Sequence, residues 1–186
     1  MQPRAFTSSV THPYAAPCAY SATLSAVDDD GGTSKPDLVH VVIVATAHAF
    51  QPNGFWKNSY AVRGQSTISA ADLACYLKIV DQTSAVFGPG DPIALASSTD
   101  AFAILSRVTG TNAELFDRDV LVAWLNVANG ALPLTTPLDL NGDGKPDRTA
   151  AAVLADAEHV RLNRASTQQQ IDAARQTVNN LLNVIR

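Results

Sequence analysis

"NAELFDRDVLVAWLNVANG", residues 112–130, decides the fold class. Leu115, Phe116, Val120, Leu121, Val122, Trp124, Leu125 and Val127 put apolar side chains on more sides of a 3.6-residue helix than a surface position allows. The stretch predicts a helix from about 112 to 128 at the centre of a bundle, stopped by Gly130.

The neighbouring stretches supply the rest of the bundle. Upstream, Ser69 followed by Asp72 is a capping arrangement, and Leu73, Tyr76, Leu77 and Val80 share one helical face until "FGPGDP" (87–92) ends the run. A short helix is expected from about Thr99 to Val108, ended by Gly110. Downstream, "TAAAVLADAEHVRLN" (149–163) reads as helix. Ser166 with Gln169 forms a capping box for a last helix striped by Ile171, Ala174, Val178, Leu181, Leu182 and Ile185. The expectation is a mainly α protein, a bundle of about five helices spanning 51–186, in which "FQPNGFWKNSYAVRGQ" (50–65) is irregular.

Ahead of the bundle the chemistry changes. Residues 1–17 carry Pro3, Pro13 and Pro17, which bar regular structure and predict an extended N-terminal arm. Residues 18–50 predict a β-hairpin. "AYSATLSAV" (19–27) and the β-branched "LVHVVIVATA" (38–47) are the strands, and "DDDGGTSKPD" (28–37) is the turn between them. The second strand has no Pro and no formal charge if His40 is neutral, so its edges must be covered or paired, within the chain or with the arm of a neighbouring subunit.

The chain has 186 residues, 46% hydrophobic and 16% charged, enough for one good core. A net charge of -4 argues against nucleic acid as a partner. No apolar run reaches the length of a membrane span, and the first twenty residues hold no stretch of signal-peptide type. Cys18 and Cys75 are the only cysteines. They read either as a pair in an oxidising compartment or as two buried thiols.

One loop carries ligand chemistry. In "DLNGDGKPD" (139–147), Asp139, Asn141 and Asp143 occupy alternate positions, Gly144 permits a sharp turn, Lys145 offers its backbone carbonyl and Asp147 closes the set. Oxygen ligands at that spacing suit calcium (Ca2+), a hard cation that takes six to eight of them. Position twelve is Ala150, so the bidentate Glu of an EF-hand is missing. The plainer alternative is a solvated turn, since Asn, Asp and Gly favour turns on their own account. Asp28, Asp29 and Asp30, with Asp37 nearby, read as a solvated hairpin loop more readily than as a second cation site.

The loop resembles the D-x-N-x-D-G-x-x-D loops of extracellular repeat modules, such as integrin-type propeller blades. Gly54-Phe55-Trp56-Lys57-Asn58 and Leu125-Asn126-Val127-Ala128-Asn129-Gly130 resemble the G-[FY]-W-K-N and L-N-x-A-N-G elements of a domain of secreted and cell-surface bacterial proteins. The first resemblance covers nine residues and the second roughly 54–130. Ser59 and Tyr60 stand where that domain commonly has His-Pro, and many relatives have a plain connection in place of the acidic loop. The second resemblance implies an exported protein with a small helical domain, and it carries no catalytic residues. Phe55 and Trp56 read as core anchors in preference to a ligand-stacking platform, Gly54 as the turn that lets both reach the bundle, and Asn126 and Asn129 as side chains that satisfy backbone groups.

Catalysis finds no constellation. His12, His40, His48 and His159 are dispersed; His40 and His48 would share a strand face but lie too far apart for one metal. Metalloprotease, serine-hydrolase and phosphate-loop motifs are missing. Glu114 and Arg118 read as an exposed i,i+4 pair, and Asp117 and Asp119 do not suggest an acid and base pair. The reading is therefore a non-enzymatic, exported structural or surface protein, located outside the cell or on its surface, braced by calcium and forming a homo-oligomer or filament through its arm or strand. The alternative is a calcium-dependent adhesive module with a cell-surface or glycan partner, which predicts exposed aromatics near 139–147.

Overall fold

The computed structural model describes residues 11–46, 48–88, 92–140 and 142–185. Chain order is β1 (Cys18–Leu24), β2 (Asp37–Ile43), α1 (Asn53–Tyr60), α2 (Ala70–Thr83), α3 (Ser98–Leu105), α4 (Asn112–Ala128), β3 (Pro137–Leu138), β4 (Arg148–Thr149), α5 (Ala150–Leu162) and α6 (Gln168–Val184). The protein is mainly α, with one antiparallel hairpin of β1 and β2 and a second, two-residue ladder of β3 and β4.

α4 occupies the centre. From Phe116 to Ala128 every residue except Arg118 is buried, and α1, α2, α3 and α6 pack against it. α5 is held against α6. The expected stripes face inward: Leu73, Tyr76, Leu77 and Val80 of α2 are buried, as are Val178, Leu181 and Leu182 of α6. Ile171, Ala174 and Ile185 pack at the core's margin.

Five helices begin with a side-chain cap, from Ser69, Ser97, Thr111, Thr149 or Thr167, each accepting the N–H of the residue three positions on. The last departs from expectation by one residue, because Thr167 and Gln170 form the capping box in place of Ser166 and Gln169. Both pairs satisfy the same pattern. α3 is also shorter than expected, ending at Leu105.

A sixth described helix, α1, lies where the sequence reads as irregular. Its N-cap is Pro52, which offers no side-chain acceptor, and Gly54 weakens the first turn. Burial supplies what local signals lack: Trp56 and Tyr60 are buried, the Trp56 ring meets Phe55 and Tyr76 edge to face, and the Tyr60 hydroxyl donates to the Leu73 carbonyl at 3.1 Å. Gly54 is helical and is not the turn the sequence suggests.

The hairpin runs in register from Cys18 opposite Ile43 to Leu24 opposite Asp37. Cys18 and Cys75 form a disulfide that ties β1 to α2 across 57 residues. A hydrogen bond from the Ala45 N–H to the Ala128 carbonyl fixes the hairpin's exit to the end of α4. β2 stops at Ile43, so His48 lies beyond the strand and does not share a face of it with His40. Residues 11–17 of the arm form no regular element, though Tyr14 packs on Tyr20; residues 1–10 lie outside the described part.

Charged side chains enter the core in ways the local sequence pattern does not signal. Glu114 belongs to the capping box with Thr111, so it makes no i,i+4 pair with Arg118. Arg118 binds Asp119, whose other oxygen receives Arg175 of α6 at 2.8 Å. Asp117 receives Arg161 of α5 at 2.7 Å and lies 3.5 Å from Arg107. Burial, opposed by those two arginines, holds the Asp117 carboxyl above its usual range.

Candidate metal centre

The acidic loop is a closed turn hung on the short ladder of β3 and β4. Pro137 pairs with Thr149 and Leu138 with Arg148, and the Asp147 N–H donates to the Leu138 carbonyl at 2.7 Å. Leu138 is fully buried and Thr149 caps α5, so both stems of the loop are anchored to the core. Arg148 adds a bond to the Ala152 carbonyl and an ion pair with Asp156 on the first turns of α5.

Inside the turn, the backbone folds around Asp139. Its carboxylate accepts the N–H of Gly142 at 2.7 Å, of Asp143 at 3.2 Å and of Gly144 at 2.7 Å. Gly142 and Gly144 have φ of 78° and 82°, a left-handed conformation that suits glycine and lets successive amides point inward. Asp143 accepts the N–H of Lys145 at 2.8 Å, and Asp147 accepts that of Leu140 at 3.0 Å. Asp139 is half-buried, while Asp143, Lys145 and Asp147 are exposed.

The sequence-derived ligand set is thus placed in one short turn, with Asn141 outside the described residues. Among the described residues no three His, Cys, Asp or Glu side chains are gathered into a metal-binding group. The donor set of the turn is nonetheless all oxygen. An ionised carboxylate offers about four lone-pair sites, so amide bonds and a cation can share it.

Asp28 behaves as a turn builder. Its carboxylate accepts the Gly32 N–H, its own N–H donates to the Gly32 carbonyl at 2.9 Å, and Asp29 and Asp30 are exposed.

Asn126 and Asn129 of "LNVANG" hold the residues just ahead of "GFWKN". Asn126 accepts the Gln51 N–H at 2.8 Å and returns a bond to the Gln51 carbonyl at 2.9 Å, and Asn129 donates to the Ala49 carbonyl at 3.3 Å. Gly130 has φ of 74°, and a β-carbon there would lie 2.1 Å from the Ala45 carbonyl oxygen. The end of α4 therefore clamps residues 49–51, which lead into "GFWKN". Trp56 is fully buried, which fits the anchor role and removes it as a stacking platform. Beside the clamp a cleft of about 580 Å³ is lined by His48, Phe55, Asp72, Tyr76 and Asn129 among others. Burial and the Asp72 charge raise the Tyr76 phenol above its ordinary value, and its hydroxyl donates to Asn129 at 3.3 Å.

Comparison of the chain with protein-family models, with curated proteins and with solved structures gives no match.

Proposed function

We propose that this chain is an exported structural or surface protein, braced by calcium in the turn 139–147 and self-assembling through its N-terminal arm or strand. The observation that carries the calcium reading is the geometry of that turn. Carboxylates at 139, 143 and 147 sit on a backbone that has coiled tightly around the first of them, on stems fixed to the core. Asp139, Asp143 and Asp147 would supply carboxylate oxygens, Asn141 an amide oxygen and Lys145 a backbone carbonyl. The ion would offset the negative charge that three carboxylates bring to one short turn.

Export is supported by the Cys18–Cys75 disulfide, a bond that persists in oxidising compartments. The resemblance of residues 54–130 to an exported bacterial domain points the same way. No helix among the described residues is long and apolar enough to cross a membrane. Self-assembly is supported by the exposed apolar hairpin.

Calorimetric titration of the whole chain with calcium tests the metal. With a dissociation constant on the order of 10⁻³ M, as in extracellular modules, 10 mM calcium should add about 1.4 kcal/mol to stability. Asp143→Ala should remove most of that gain. Absence of both binding heat and a thermal shift at 10 mM calcium defeats the proposal.

A further inference from the structure

The cleft beside the backbone clamp has the make-up of a ligand site. Its volume, about 580 Å³, falls within the ~300–1,000 Å³ usual for such sites. Four parts of the chain form its walls: the hairpin's exit with His48, α1 with Phe55, the start of α2 with Ser69, Asp72 and Tyr76, and the end of α4 with Asn129. No described lining residue belongs to the turn 139–147. The walls are fixed to one another. The Ala45 N–H donates to the Ala128 carbonyl at 3.0 Å, Asn129 donates to the Ala49 carbonyl, and Cys75, next to Tyr76, is bonded to Cys18 of β1. A site already held in shape loses less entropy when its ligand arrives.

The polar groups of the cleft keep bonding capacity. The Ser69 hydroxyl donates to Oδ2 of Asp72 at 2.7 Å, and no hydrogen bond among the described residues reaches Oδ1 of Asp72. The Tyr76 hydroxyl donates to Asn129 at 3.3 Å, and its oxygen still has lone pairs to offer. The Asn129 amide, which donates to Ala49, carries a second N–H. His48 is exposed, and a neutral imidazole both donates and accepts. Phe55 is half-buried and brings a flat apolar ring.

Charge and polarity select the ligand. No Lys or Arg is among the described lining residues, so an anion finds no fixed counter-charge. Asp72 is the single acid, and it stands in the first turn of α2, where the helix N-terminus offsets its charge. That setting suits it to accept from neutral hydroxyls more than to hold a cation. A wholly apolar ligand would cover Asp72 and the Tyr76 hydroxyl without bonding them. A neutral molecule with several hydroxyls and one apolar face meets every condition, and a pyranose sugar has that form.

We propose that this cleft binds a neutral saccharide, with Phe55 against the C–H face of a pyranose ring and Asp72, Tyr76, Asn129 and His48 bonding its hydroxyls. The site goes beyond the calcium reading and needs neither the ion nor self-assembly.

The full chain, in calcium and after chelation, is first applied to an array of neutral oligosaccharides of glucose, galactose, mannose and N-acetylglucosamine. The strongest binder is then titrated into isotope-labelled chain, beside spermidine, a heparin disaccharide and a neutral alanine peptide. Saccharide binding should appear in both conditions and shift the amide signals of residues 48–55 and 69–76. Asp72→Ala should weaken it at least about tenfold, through loss of a hydrogen bond to a charged group. Phe55→Leu, which keeps apolar volume but not the flat ring, should also weaken it, and Asp143→Ala should bind as the parent does. Both cleft variants should melt close to the parent, and the amide map of the parent chain decides the location if either fails to fold. An array with no retained saccharide overturns the proposal, as does binding lost on chelation, an amide map outside the cleft, or affinity unchanged in both cleft variants. A cleft that responds to spermidine, the heparin disaccharide or the peptide and to no sugar overturns it too. The calcium titration reads a different site, so either proposal can fail alone.

Discussion

Glu158 shows what one side chain can hold in this core. Buried between α2, α4 and α5, its carboxylate accepts the Trp124 indole N–H at 2.7 Å, the Ala85 N–H at 3.0 Å and the Ser84 hydroxyl. Glu158→Ala orphans three donors, and at about 1–3 kcal/mol per unsatisfied buried group the loss should be at least ~3 kcal/mol by urea denaturation. Glu158→Gln should cost less, since its carbonyl oxygen still accepts. Equal stability of all three chains would show that water replaces the carboxylate. Glu114 acts at the surface. The backbone N–H and hydroxyl of Thr111 hold its carboxyl below the usual range. A depressed folded-state pKa gives stability that is present above the unfolded value and lost as pH falls through the folded one. Stability should therefore decline on acidification below about pH 4.3, the ordinary Glu value, and Glu114→Gln should shallow that decline in an acid melt series. Neither role is legible from periodicity. Glu114 pairs with its cap because Thr111 lies three residues away, and Glu158 reads like any helical glutamate until Ser84, Ala85 and Trp124 converge on it.

Among the elements, those with local signals are legible and α1 is not. Ser69 announces its helix because a capping oxygen satisfies amides that the helix leaves free, and Thr111 and Thr149 are seen in the fold to cap α4 and α5 in the same way. α1 has Pro52 at its cap, Gly54 in its first turn and only eight residues, so it depends on what surrounds it. The support comes from α4. Asn126 bonds both backbone groups of Gln51 and also donates to the Val122 carbonyl at 2.8 Å. Asn126→Ala should lower stability by roughly 2–6 kcal/mol, from about 1–3 kcal/mol for each of the two Gln51 backbone groups left unsatisfied. Hydrogen exchange should show the loss concentrated in residues 49–60. A uniform loss across all helices would mean that the clamp serves the core as a whole. The acidic turn divides similarly. Its acidic residues and their spacing are readable from residues 139–147, but the turning of three amides onto the Asp139 carboxylate, between stems anchored by Leu138 and Thr149, is seen only in the fold.

At the scale of the molecule, the hairpin is joined to the helical body by the disulfide, by the packing of β1 and β2 on α2 and by the Ala45–Ala128 hydrogen bond. The Cys18–Cys75 bond spans 57 residues, and closing a loop of that length stabilises by about 4 kcal/mol in the chain-entropy model. The double variant Cys18→Ser, Cys75→Ser should lose a comparable amount in chemical denaturation, with the hairpin releasing before the helices melt. A loss under ~1 kcal/mol would assign the anchoring to the Ala45–Ala128 hydrogen bond and the packing of β1 on α2. The ion pairs of Asp117 with Arg161 and of Asp119 with Arg175 fasten α4 to α5 and α6. Between them the chain places charge where a helical bundle ordinarily puts leucine, at positions that the pattern of the sequence alone treats as surface.

The sequence by itself determined the class of the protein: apolar periodicity, caps and β-branched runs act over a few residues, so five helices and the hairpin could be placed from them. Only the tertiary structure decided that "GFWKN" is helical, that the two cysteines pair, and that Asp117, Asp119 and Glu158 are buried. Each of these depends on groups distant along the chain coming together. A backbone clamp, an ion pair and a disulfide gain their energy from meeting a partner, and nothing in the nearby sequence says where that partner will be.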